Sequence, residues 1–137
     1  MRYFILLFLF FSCSNNNLHN SNIKLLDQII IEHDKLMLEM KNIKKIKKDL
    51  IEKEEDFDIT EKIKNLDNAR MSMMNFMEEF SQEFSFENYP MNKEKYKNLT
   101  QSELKAVNDK LIEFKNAIKI VSDKFDSSIK EGNRILN

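Results

Sequence analysis

Gly132 and Pro90 are the only glycine and the only proline in 137 residues. A β-rich chain of this length needs many tight reversals, and tight reversals are built mostly from those two residue types. Long uninterrupted helices need neither. The remaining composition points the same way: 33% of residues are Asp, Glu, Lys or Arg, with both signs interspersed and a formal net charge of −1. Such a chain suits solvated helices that each keep one apolar face. It also offers no basic face that could neutralise a phosphate backbone, which argues against a nucleic-acid partner.

The N-terminus reads as an address and is kept out of the fold. Arg2 precedes the apolar run Tyr3 to Phe11, which is too short to span a bilayer, and the run ends at Ser12-Cys13. A small residue directly before the sole cysteine resembles the lipobox of bacterial lipoproteins, in which cleavage exposes a Cys that then carries lipid. Residues 1–12 are therefore expected to be a lipoprotein signal peptide, and Cys13 the lipid attachment site that ties the protein to a membrane. The alternative is an ordinary signal peptide with an incidental cysteine. With one cysteine there is no intramolecular disulfide. Residues 13–20, rich in Ser and Asn around a lone His19, are expected to form a polar tether.

Residues 21–137 carry three helical patterns, at about 21–53, 59–84 and 92–136. The first is expected to be capped by Ser21 or Asn22 and to align Ile23, Leu26, Ile30, His33, Met37, Met40 and Ile43 on one seam, widened by Ile29 and Leu36. The basic run Lys44-Lys45-Ile46-Lys47-Lys48 near its end suits a helix C-terminus and a solvated face. The second, after a turn at Glu54 to Phe57 and a capping-box spacing from Asp58 to Glu61, aligns Ile59, Ile63, Leu66, Met73, Met77, Phe80 and Phe84. Pro90 ends that pattern. The third seam is the most regular, Leu104, Val107, Leu111, Phe114, Ile118, Val121 and Phe125. Thr100 to Glu103 forms a capping box, and Tyr96 lies in phase, which predicts one helix from about Asn92 and fraying at Gly132. The expected fold is all-α: an antiparallel up-down-up three-helix bundle, coiled-coil-like, after a signal peptide.

Folding the first helix onto the second brings His33, Met37, Met40, Met73 and Met77 towards one layer, with Tyr96 near it. Two readings of that layer stand. Methionine fills irregular core gaps and contacts aromatic rings, and a buried histidine can set helix register. Alternatively, thioethers with an imidazole suit Cu(I), so the five residues are candidate metal ligands with copper as the cofactor. Haem held by His and Met is a weaker variant, because no CxxCH attachment motif exists. Catalysis is not expected. No HExxH pair, Gly-rich phosphate loop or G-x-S-x-G elbow is present, and Cys13 is consumed if lipidated.

The stretch His33-Asp34-x-x-Met37-x-x-Met40, followed by Met73-Met74-x-Phe76-Met77, resembles a group of small bacterial lipoproteins that carry the name "viral A-type inclusion protein". Where this chain has Phe76, that group is expected to have Trp. The resemblance covers roughly Ile29 to Phe80 and the signal with its Ser-Cys junction. It implies a helical fold and an envelope location, without a mechanism. The expected function is that of a lipid-anchored helical envelope protein, on the outer membrane, with a structural or protein-interaction role that includes self-association. The alternative is an envelope Cu(I)-binding protein.

Overall fold

The computed structural model describes residues 11–53 and 57–137, and among them there is helix and no strand. The long helices are α1 (Phe11–Ile51), α2 (Phe57–Glu83) and α3 (Gln101–Leu136), with a 3-10 helix at Lys93–Asn98 before α3. They pack together as a helical bundle in which α1 lies mainly against α3 and meets α2 least. None of the described helices is long and apolar enough to cross a membrane. The signal-peptide expectation falls on residues that lie largely outside those described, as does most of the turn before Phe57.

The seam of α3 follows its sequence periodicity, with Leu104, Leu111, Ile118, Val121 and Phe125 buried. On α2 the match is partial: Leu66, Met73 and Phe80 are buried as expected, with Phe84 just past the helix end, but Ala69 and Phe76 are buried too, while Ile59, Ile63 and Met77 are only partly covered. Val107 and Phe114 pack against the same core, partly covered. α1 departs from expectation. Its buried residues include Asn22, Ile29, Leu36, Ile43 and Leu50, spaced by sevens, with Leu26 and Ile46 beside them. Of the residues expected on the seam, Met37 is 46% exposed and Ile30 36%, the latter turned towards the side of α2. The reason is that α1 carries more apolar residues between Leu25 and Met40 than one face can bury. Its rotation is then set by α3 and by the partners of Asn22 rather than by apolar count.

Further expectations are corrected. First, the polar tether of residues 13–20 is helical, continuous with the rest of α1. No Gly or Pro interrupts the backbone there, and Asn22, expected as a cap, is buried instead. Its Nδ2 donates to the Leu104 carbonyl at 3.0 Å, while its Oδ1 accepts from Asn108 at 2.7 Å. A buried amide so satisfied fixes the register of α1 against α3.

Second, α3 does not extend back to Asn92. The Thr100 hydroxyl accepts from the Glu103 amide at 3.2 Å, and the Glu103 carboxylate accepts from the Thr100 amide at 2.8 Å. This reciprocal cap needs Thr100 in extended conformation, so it ends the 3-10 helix and starts α3 afresh. By contrast, Asp58 lies inside the first turn of α2, where its charge faces the helix N-terminus, rather than at the N-cap. Third, Gly132 is buried within α3 against Ile46 and not at a frayed end.

Candidate functional site

Between the middle of α1 and the C-terminal part of α2 lies a cavity of about 340 Å³. Its floor is Ile29, Phe76, Phe80 and Phe84, all buried. Phe76 and Phe80 of α2, with Phe84 just past its end, come to one side by their spacing of fours, and Phe114 of α3 packs onto all three at centroid distances of 5.2 to 5.8 Å. Met77 and Ile30 line the walls. The segment after α2 completes the rim with Phe86 and Met91.

His33, Asp34 and Ser81 are the polar residues at this cavity. The His33 side chain is 24% exposed, and its Nδ1 lies 3.0 Å from the Asp34 carboxylate. Donation from Nδ1–H to Asp34 leaves Nε2 as an acceptor in the neutral ring. The Ser81 hydroxyl donates to the Glu78 carbonyl at 2.9 Å and can still accept. No lysine or arginine lines the cavity.

Of the five residues expected in one layer, the structure brings only His33 and Met77 to this cavity. Met73 is buried in the core. Met40 lines a separate groove beside Lys47, Asp67 and Arg70, and Met37 is 46% exposed. The five-residue layer therefore does not assemble, because the rotation of α1 carries Met37 outwards and α2 turns Met73 inwards. Among the described residues, no group of three or more His, Cys, Asp or Glu could hold a metal ion. Tyr96 is not near His33 either. Its ring stacks on His19 at 3.9 Å between centroids.

Sequence periodicity missed Phe86 and Met91, which reach the cavity from an irregular segment. The only signal was the Pro90 break, which marks a reversal without saying where it returns. It also missed the cluster at the start of α1, where His19 Nδ1 lies 3.2 Å from the buried Tyr89 hydroxyl. Burial holds the His19 imidazolium pKa below its usual value, and Lys93 adds to this against the opposing charge of Glu94. Burial pushes the Tyr89 phenol up, against a hydrogen bond with Asn22.

The outer surface of α1 holds a second pattern. Ile30 and Met37, and beside them Ile31 and Leu38, repeat at seven-residue intervals and remain exposed, Ile31 by 68% and Leu38 by 70%. No protein family model matches the chain, and neither the curated proteins nor the solved structures contain a match to it.

Proposed function

We propose that this chain is a lipid-anchored interaction module of the bacterial cell envelope, held to the outer membrane through Cys13 and presenting α1 to a protein partner. The apolar run ending at Ser12-Cys13 supports the anchor, and the resemblance to small bacterial lipoproteins supports the location. The proposed topology is an up-down-up three-helix bundle. In support, Asn22 meets Leu104 at one end, while Lys53 reaches the Ile135 carbonyl and Lys62 pairs with Glu131 at the other.

The exposed heptad pairs Ile30/Met37 and Ile31/Leu38 carry the interaction reading. Apolar residues at seven-residue spacing form the seam by which one helix receives another, and leaving such a seam in water is costly. It fits a partner helix with its own apolar stripe, from another protein or a second copy. The buried seam of α1 already serves the fold, whereas Ile31, Met37 and Leu38 are left exposed outside it; Ile30 is shared with the cavity towards α2.

The test is photo-crosslinking in intact cells from a photoreactive residue at Leu38 or Ile31, with Lys130 on α3 as the exposed control. Discrete protein adducts from positions 31 and 38, absent from 130, are expected. No adducts, or equal ones from all three, would sink the interaction role. Copper at one equivalent in the same purified protein, lost in His33→Leu, would move the function to the cavity that His33 shares with Met77.

A further inference from the structure

From the cavity between α1 and α2 we infer a binding site for an uncharged apolar chain that bears a hydroxyl head, such as a long-chain alcohol. The inference is independent of the anchor at Cys13; with the outer seam of α1 it shares Ile30 alone, since Ile31, Met37 and Leu38 do not line the cavity.

Three observations fix the ligand class. At about 340 Å³, the cavity falls in the lower part of the range in which small-molecule sites are found, roughly 300 to 1,000 Å³. Its floor of Phe76, Phe80 and Phe84 is buried and apolar, so what it takes up must be apolar along most of its length. At the mouth, Phe86 stands 81% exposed, and the wall residue Ile30 is 36% exposed. A ligand that reached past the floor would cover both.

The head group follows from charge. The polar groups at the mouth are the His33 imidazole, the Asp34 carboxylate and the Ser81 hydroxyl, with no lysine or arginine among the lining residues. A carboxylate or phosphate head would meet Asp34 with nothing to neutralise it. A hydroxyl can pair with Nε2 of His33, donating to a bare nitrogen or accepting from an N–H, while Nδ1 is engaged by Asp34. A quaternary ammonium head would be attracted by Asp34 but gives His33 no hydrogen bond, so it serves as the critical comparison. Binding here is reversible and involves no bond making.

Photoaffinity labelling of the full chain in phosphatidylcholine vesicles tests this. The probes are a ten-carbon alkyl diazirine ending in a hydroxyl, and matched diazirines ending in a carboxylate or a trimethylammonium. Peptide mapping should place the alcohol's adducts on Met77, Phe86 or Met91, at several times the yield on the exposed Ile31 and Met71. Excess unlabelled 1-decanol should suppress the cavity adducts alone. The carboxylate probe should label the cavity several-fold less, and His33→Leu should remove the preference for the alcohol over the trimethylammonium probe. Ser81→Phe, at an exposed position on the rim, should block labelling without unfolding the chain, checked by circular dichroism.

Adducts spread evenly over cavity and surface would overturn the site. Cavity labelling by the carboxylate probe equal to that by the alcohol would overturn the ligand class, as would a head-group preference unchanged in His33→Leu.

Discussion

At Gly132 the physical role of a single residue is decided by a neighbour 86 positions away in the chain. A methyl group placed on its Cα would come within 2.6 Å of the Ile46 Cγ2 atom, with Leu50 and Leu66 next nearest. The clash is with a branch at Cβ, which is held stiffly at χ1 and cannot swing aside like the tip of a long side chain. Overpacking of this kind costs about 1 to 3 kcal/mol. Replacing a helical glycine by alanine returns up to about 1 kcal/mol in propensity. Gly132→Ala should therefore lower stability by about 1 kcal/mol in urea melts, the overpacking cost less the propensity gain. In an Ile46→Leu background, which removes the Cβ branch at nearly constant volume, the same substitution should become neutral or stabilising. Additive effects of the two changes would refute the close approach. Nothing in the sequence around Gly132 announces this. A glycine near a chain end reads as fraying unless Ile46 is known to face it.

Each helix was legible in proportion to how much of its pattern it spends on one face. α3 spends most of it so, and its seam emerges from the sequence with the Thr100 cap in place, while α2 yields the Leu66, Met73 and Phe80 part of its seam. α1 does not spend it so, because Ile30, Ile31, Met37 and Leu38 compete with Ile29 and Leu36, and only tertiary contacts choose between them. That choice also dissolved the expected histidine-methionine layer, and left the cavity to be completed by Phe86 and Met91. The first turns of α1 were the least legible element. Their partners, Tyr89 and Tyr96, lie about 70 or more residues away in a segment without periodicity. A pH dependence belongs to this contact. The His19 pKa is lowered in the fold, so the unfolded chain binds the proton more readily, and stability rises with pH across the interval just below 6.5. His19 should thus favour the fold above that value and lose its contribution as the pH falls through the lowered folded pKa. Melting of the parent should weaken between pH 7.5 and 5.5 more than that of His19→Asn. The ring face of Tyr96 attracts a cation and works in the opposite sense. A parent that gained stability towards acid, relative to His19→Asn, would show that this attraction dominates.

For the whole molecule, the continuity of α1 changes what an anchor at Cys13 would do. A flexible tether would let the bundle tumble above the bilayer, whereas a helix running from Phe11 through Ile51 couples the bundle rigidly to residue 13. His19 follows Cys13 by six residues, about 9 Å along a helix. The end of the bundle that carries His19, Tyr89 and the exposed Lys93, Lys95 and Lys97 would then sit at the membrane surface, with Lys48 and Lys53 on the far end. Several acyl chains on one residue anchor stably where a single chain is marginal, so the whole membrane affinity should depend on this side chain. Cys13→Ser should leave the membrane fraction or persist as an unprocessed precursor. In membranes carrying the parent, amine acylation should modify Lys93, Lys95 and Lys97 several-fold more slowly than Lys48. In any Cys13→Ser protein released to solution, the two ends should react alike. A mature-sized Cys13→Ser protein still in the membrane fraction would refute the anchor. Equal lysine reactivity in the anchored parent would refute only the upright arrangement, because a bundle lying flat or swinging freely exposes both ends to the reagent.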